Sequence, residues 1–302
     1  MSPAGPVTES DLEPGLKLLE SAGFKVRLGA HVYDRKEYLA GKDKDRLEDL
    51  HAMFLDPTVK AVFCTRGGYG SLRLLDKLRY DVIQEHPKIF VGFSDITALL
   101  MAIRAKTGLV TFHGPMVRGL GRNQGENWEH LLGVLASGAP LEIPLGGAGV
   151  HVPGRAQGPL IGGNLSMICH LIGTPYLPSL DRCVLFIEDT GETPYRLDRM
   201  LTHLALTGQL NDISGLIACE FLDCGDATAV NTILTDMLAG FRIPVVTGLA
   251  VGHGPKNPAL PFGMTVVLDT DLRTLSTLEP CVQDSEAVRE RQFSPISASD
   301  SN

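Results

Sequence analysis

Residues 87–108, PKIFVGFSDITALLMAIRAKTG, leave the backbone little choice. Ile89–Gly92 is a short apolar run, the pattern of a parallel strand buried on both faces. Ile96, Leu99, Leu100 and Ile103 then recur at i, i+3, i+4 and i+7, one face of a helix that Gly108 can stop. Ser94 is therefore predicted on a sharp strand-to-helix turn. A side chain there stands clear of the sheet, and the first free N–H groups of the helix point toward negative charge. A nucleophile is well served by that place. The full Gly-x-Ser-x-Gly elbow is absent, because Ile96 stands where its second glycine would be. A plain helix N-cap is the other role open to such a serine.

The rest of the first half alternates helix and strand. Residues 11–22 form a helix pattern capped by Asp11 and stopped by Gly23, and residues 23–28 read as a strand. Residues 45–55 place Leu47, Leu50 and Phe54 on one helical face and end at Asp56-Pro57. A strand over 59–64, the glycine-rich turn Arg66-Gly-Gly-Tyr-Gly70, a short helix from Ser71 and a strand over 109–112 complete the set. This βαβα order predicts a parallel sheet with helices on both faces and ligands beyond the carboxyl ends of the strands. Residues 138–159 are rich in Gly and Pro without a helical period and read as a linker or crossing between domains. Beyond them we expect strands in CVLFIED, GLIACEF and PVVTGL, helices over 195–207 and 227–238, and a hairpin of 265–269 with 272–278. From about Gln283 the chain is polar and Ser-rich, and a frayed, disordered tail is expected. The predicted fold is α/β. An N-terminal domain (1–148), with a mostly parallel sheet flanked by helices, carries Ser94, and a smaller β-rich α/β C-terminal domain (149–302) follows.

A chain of 302 residues with 44% hydrophobic and 21% charged residues has the balance of a soluble globular protein. Its net charge of −8 argues against nucleic acid or an anionic membrane as partner, since both need a basic face. No apolar run reaches the roughly 18 residues needed to span a bilayer. The start, MSPAGPVTESDLEPG, lacks the basic and apolar regions of a secretory signal, so a cytoplasmic location is expected. The six cysteines form no C-x-x-C pair and sit mostly in apolar segments, as buried reduced thiols do. With His-x-x-x-His spacing also missing, neither a metal nor a cofactor is expected.

A serine hydroxyl needs a base to take its proton, and the base needs a third group to hold its tautomer. Among nine histidines, His253 lies in Gly252-His-Gly254-Pro-Lys-Asn-Pro, where flanking glycines let the backbone present an imidazole to a cleft. Glu188 closes the strand Cys183-Val-Leu-Phe-Ile-Glu and is the candidate orienting acid. Asp189 and Glu192 compete with it, helix capping being the other role open to Asp189. The order Ser94, Glu188, His253 is that of the α/β-hydrolases. In the turn after Arg66, consecutive glycines expose N–H groups that can hold a phosphate or an oxyanion. The P-loop lysine spacing is missing, so an N–H near Gly68, with that of Asp95, is the candidate oxyanion hole. Ser71 is a rival nucleophile or a helix cap, and Gly162-Gly-Asn-Leu-Ser166 reads as a structural turn before a helix.

Taken together, TRGGYGS, VGFSDITALL, TFHGPM, LIGGNLS, LFIEDTGETPYRLDRML and GHGPKNPALPFG resemble, in order, the LD-carboxypeptidases (muramoyltetrapeptide carboxypeptidases), relatives of the microcin-immunity peptidases. The resemblance covers about residues 2–269. It implies Ser94 as nucleophile, Glu188 and His253 as its partners, and oxyanion donors at about Gly68 and Asp95. It also implies an α/β domain joined to a β-rich domain with the site between them, a homodimer, and a murein peptide substrate. The reaction would be hydrolysis of the amide between an L-centre diamino acid and a terminal D-alanine. The free carboxylate of that D-alanine needs a cation, for which Arg66 is chosen, a structural ion pair being its other role. One departure is that Met1 stands directly before Ser2, where the family has an apolar strand; a truncated start, or a sheet lacking that strand with its neighbour's edge bare, is expected. A microcin-immunity-type peptidase, cleaving aminoacyl-nucleotide conjugates, would need an aromatic surface for a base. The one tryptophan, Trp128, is expected in a surface helix of the N-terminal domain. A non-catalytic anion-binding module is the reading from a different class.

Overall fold

The computed structural model describes residues 1–120 and 125–282. Helix α1 (Glu9–Ser21) opens on a reciprocal cap in which the Thr8 side chain accepts from the Asp11 N–H and Asp11 accepts from the Thr8 N–H at 3.0 Å. Asp11 thus lies inside the helix it was expected to cap. Residues 23–28 form no ladder, contrary to the predicted strand, and leave Phe24 and Leu28 exposed. The chain continues through α2 (Asp43–Leu55), β1 (Ala61–Phe63), a 3₁₀ turn at Ser71–Leu74, α3 (Tyr80–Glu85) and β2 (Ile89–Gly92). After a 3₁₀ turn at Ser94–Ile96 come α4 (Thr97–Thr107), β3 (Thr111–His113), α5 (Val117–Leu120) and α6 (Glu126–Ala136). Trp128 of α6 is buried, not a surface residue, and meets Phe24 edge-on. The expected linker is instead three strands, β4 (Pro140–Pro144), β5 (Gly149–Val152) and β6 (Arg155–Asn164). Then follow α7 (Leu165–Leu171), β7 (Val184–Thr190), α8 (Pro194–Leu206), β8 (Gly215–Leu222), α9 (Ala227–Leu238) and β9 (Val245–Leu249). The last elements are β10 (Leu260–Phe262), β11 (Thr265–Asp269) and β12 (Thr274–Pro280). The tail expected to be disordered from about residue 283 lies outside the described residues.

The strands make two sheets. The first runs β1-β2-β3-β10, with β1, β2 and β3 parallel and β10 antiparallel to β3. The second runs β4-β12-β11-β6-β7-β8-β9-β5, parallel from β6 to β9 and antiparallel at both flanks. A mixed α/β fold with a parallel-rich sheet between helices is the result. The division expected at residue 148 does not match the hydrogen bonding: β4, before it, pairs in the second sheet, and β10, well after it, pairs in the first. Among the described residues β1 is an outer strand with no strand on its other side, as expected for a sheet lacking one; at its upper end the Met1 ammonium donates to Phe63 O and Thr65 N–H donates to Met1 O, both at 3.0 Å.

A large continuous core joins the sheets. Phe90, Ile96, Leu99 and Ile103 from the first half pack in one cluster with Leu160, Phe186 and Ile187 from the second, all but shut off from solvent. Side chains of this kind each contribute about 1.5–3 kcal/mol by leaving water. At the junction the start of α4 presses on β6. A Cβ on Gly163 would lie 2.7 Å from Thr97 Oγ1, and the Asn164 N–H donates to that hydroxyl at 3.2 Å. The helix that follows Ser94 is therefore pinned to the second sheet. Among the described residues, no helix is long and apolar enough to cross a membrane.

Candidate active site

Ser94 sits at the carboxyl end of β2 with φ +63°, a left-handed conformation that a non-glycine residue holds at a cost of roughly 1–2 kcal/mol. The turn is possible because Gly92 has no side chain: a Cβ there would lie 2.6 Å from Ile96 Cγ2. Gly67 closes the other side, where a Cβ would lie 2.9 Å from both Cβ and Oγ of Ser94 and 3.4 Å from the Asp95 nitrogen. Gly67 therefore lies directly against the Ser94 side chain, on the side of the Asp95 nitrogen. Asp95 holds this arrangement from beneath. Its buried carboxylate accepts the Ser71 N–H at 2.9 Å, and its carbonyl accepts the Ser71 hydroxyl. Burial raises the Asp95 pKa, and bonds from Ser71 and Gly70 oppose that rise. Ser71 is fully buried and committed to this contact, which removes it as a rival nucleophile. Arg66 lies against the N-terminal segment and the glycine turn: its guanidinium is 3.2 Å from where a Gly5 Cβ would be and 3.6 Å from that of Gly68.

The second sheet brings the acid. Glu188 lies within β7, which runs on through the equally buried Asp189 to Thr190 and so does not close at Glu188 as expected; the side chain is fully buried, and its Oε2 accepts from His253 Nδ1 at 2.7 Å. His253 Nε2 lies 3.0 Å from Ser94 Oγ. With Nδ1–H committed to the carboxylate, Nε2 carries the lone pair and accepts the serine hydroxyl. The His253 side chain is 18% exposed and Ser94 is half-buried, so solvent reaches both, whereas Glu188 is sealed. Successive strand residues face opposite ways. Asp189 accordingly turns from the trio, accepting from Asn164 Nδ2 and the Ser166 N–H at 2.9 Å and from its neighbour Thr190 N–H at 2.8 Å. It ties β6 and α7 to β7. Burial pushes its carboxyl up to about 6 against those three donors. Glu192 instead meets Arg196 at 3.4 Å.

The glycines beside His253 make room for two acids. A Cβ on Gly252, whose φ is +126°, would lie 2.7 Å from Glu188 Oε2, and one on Gly254 would lie 2.0 Å from Glu220 Oε2. The loop is tied to the first half by side chains. Asn257 Oδ1 accepts the Gly252 N–H at 3.1 Å, Asn257 N–H donates to Asn127 Oδ1 at 2.9 Å, and Asn127 Nδ2 donates to Pro255 O at 2.9 Å. Sequence reasoning passed over both Asn257 and the fully buried His113, although each stands inside a quoted motif, GHGPKNP and TFHGPM. Among the described residues, the metal-type donors grouped within 4.8 Å are His31, Asp34 and Asp45, none of which belongs to this site.

A strained serine bonded to a histidine that is held by a buried glutamate is the arrangement of a serine hydrolase. The chain belongs to the LD-carboxypeptidase family of peptidases: the family model of the N-terminal domain matches residues 1–114 and that of the C-terminal domain residues 157–268. A murein tetrapeptide carboxypeptidase of Pseudomonas aeruginosa is 37% identical over 283 residues, covering 89% of this chain and 92% of that protein. The crystal structure of muramoyltetrapeptide carboxypeptidase from Oxalobacter formigenes superposes with a TM-score of 0.82 at 32% identity, covering 91% of this chain and 96% of that one. The Escherichia coli microcin C7 self-immunity protein MccF is similar too. Its structure in complex with glutamyl sulfamoyl guanosine gives a TM-score of 0.86 at 27% identity, covering 94% of this chain and 96% of that one.

Proposed function

We propose that this protein is a serine carboxypeptidase that hydrolyses the amide between the L-centre of a diamino acid and a terminal D-alanine in murein tetrapeptides. The observation that carries the reading is the continuous relay from Glu188 Oε2 through His253 to Ser94 Oγ, at 2.7 and 3.0 Å. Ser94 Oγ attacks the scissile carbonyl while His253 Nε2 takes its proton, and Glu188 stabilises the imidazolium. The oxyanion is met by the N–H groups of Asp95 and Gly68. His253 then protonates the departing D-alanine nitrogen, and water, activated by the same imidazole, releases the acyl group from Ser94. Arg66 meets the carboxylate of D-alanine. Homodimeric assembly and a cytoplasmic site of action are parts of the same proposal.

Turnover of an L-diaminoacyl-D-alanine tetrapeptide tests the reading. Ser94→Ala and His253→Ala should each lower kcat by on the order of 10⁴–10⁶, and retained turnover in the folded variants would refute the assignment. The overlap with MccF keeps a second substrate class in view, an aminoacyl-nucleotide conjugate. Trp128 is buried and offers no stacking surface for a base. The ratio of kcat/KM for the peptide and for an aminoacyl-nucleotide analogue separates the two, and we expect it to favour the peptide.

A further inference from the structure

Behind His253 lies a group of polar side chains that the relay itself does not use. His113 ends β3 and is fully buried, yet neither of its ring nitrogens completes a hydrogen bond among the described residues. Its ring centroid is 5.2 Å from that of Phe186, edge-on, and 5.6 Å from that of Phe93. The other neighbour of Phe93 is His253, at 5.0 Å. Asn257 is buried beside this stack, with Oδ1 on the Gly252 N–H and Nδ2 without a completed bond. An apolar side chain at position 113 would avoid the desolvation of two imidazole nitrogens. A polar pair in this place, joined to the residue before His253, points to a task other than filling space.

We propose that Asn257 and His113 are positioning residues for His253. Asn257 fixes the loop through the Gly252 N–H, and His113 forms a wall behind Phe93, against which the His253 ring rests. The proposal rests on the reading of His253 as the general base. It explains why Asn257 reaches both the loop and α6: the bond to Gly252 sets the approach of the imidazole to Ser94, and the bond to Asn127 anchors that setting in the half of the chain that carries the serine. Burial and, second, the nearby His253 hold His113 down to about 3, with the Asn257 side chain acting the other way, so no second positive charge faces the base. Among the described residues, Glu188 from β7 faces His253 and Glu220 from β8 lies behind Gly254. Lys256 of the same loop is turned to Glu126.

The test is kcat and KM against pH for the full chain and for Asn257→Ala, Asn257→Asp and His113→Ala, beside Ser94→Ala and His253→Ala. Asn257→Ala should lower kcat about 10- to 100-fold with KM within about twofold, the signature of a misplaced base. His113→Ala should lower kcat in the same direction. Asn257→Asp keeps the shape and adds a negative charge near the imidazole. It should raise the pKa of His253 and move the acid limb of kcat/KM to higher pH by at least about half a pH unit. If Asn257→Ala fails to fold by circular dichroism, the near-isosteric Asn257→Asp decides alone. Wild-type kcat and an unmoved acid limb in Asn257→Asp, with Ser94→Ala and His253→Ala inactive, would overturn the positioning role alone. Activity retained in Ser94→Ala would overturn the underlying reading instead.

Discussion

Gly92 offers a sharp test of the turn, because two physical arguments give opposite signs for one substitution. Counted by strand propensity alone, Gly92→Ala should stabilise the protein by about 0.5–1 kcal/mol, since alanine loses less backbone freedom on folding. The packing predicts the reverse. The added methyl would stand 2.6 Å from Ile96 Cγ2, 3.0 Å from its Cβ and 3.2 Å from its Cγ1. Ile96 is fully buried and β-branched, so it has no easy rotamer of escape. Overpacking of this kind costs about 1–3 kcal/mol. Ile96→Ala alone leaves a cavity and should cost about 2–5 kcal/mol. Joined, the two changes relieve one another, since the methyl at 92 enters space vacated at 96. The double variant should therefore be more stable than the sum of the singles by at least about 1 kcal/mol. Urea unfolding followed by circular dichroism measures all four proteins. With a slope near 3 kcal/mol per molar, a change of 2 kcal/mol moves the midpoint by about 0.7 M. A stabilised Gly92→Ala, or additivity within about 0.5 kcal/mol, would refute the steric account of the turn.

Three further outcomes are expected. Glu188→Gln, which keeps shape and removes charge, should lower kcat by on the order of 10³–10⁴ while the fold persists, as circular dichroism and peptide turnover will register. Gly252→Ala should lose activity through displacement of Glu188, 2.7 Å from the added methyl, and lose about 1–3 kcal/mol of stability from its φ of +126°; Gly252→Ser at full activity would contradict this. Burial raises the Asp189 carboxyl from 3.8 to about 6, so between those values the folded protein keeps a proton that the unfolded chain has lost. Its stabilising contribution, on the order of 3 kcal/mol, is full below about pH 4 and gone above about pH 6. The Tm of Asp189→Asn minus that of the parent should therefore grow as pH rises from 4 to 7, and a constant difference would count against it.

Where side-chain period and strand limits agreed, the sequence was readable. Ile89–Gly92 and the helix face of Ile96, Leu99, Leu100 and Ile103 are where the apolar pattern puts them, which is why Ser94 was found from its surroundings. Residues 138–159 misled because their glycines and prolines serve packing as well as turns. A Cβ on Gly158 would lie 2.0 Å from Arg182 O, so β6 needs glycine there to lie against its neighbour. Pro140 and Pro144 bound β4, an outer strand of its sheet, where a missing N–H is tolerated. Residues 23–28 alternate as a strand should, but among the described residues no strand edge receives them. Glu188 is preferred over Asp189 from its place after an apolar run and from the family resemblance, but periodicity alone leaves both open, since which of them meets His253 depends on the face of β7 turned to that loop. His113 and Asn257 carry no local signal, because their partners are remote in the chain and come together only when β10 joins β3.

That late strand has a practical consequence. A polypeptide ending at residue 148 would hold Pro140–Pro144 with no β12 to receive it and would leave the outer side of Thr111–His113 open to pairing with other molecules. The complementary piece would carry Leu260–Phe262 with nothing to dock on. Separately expressed halves should thus be sticky and inert, while mixing them offers each the edge it lacks, making this chain a natural candidate for a split reporter whose signal is restored peptidase turnover.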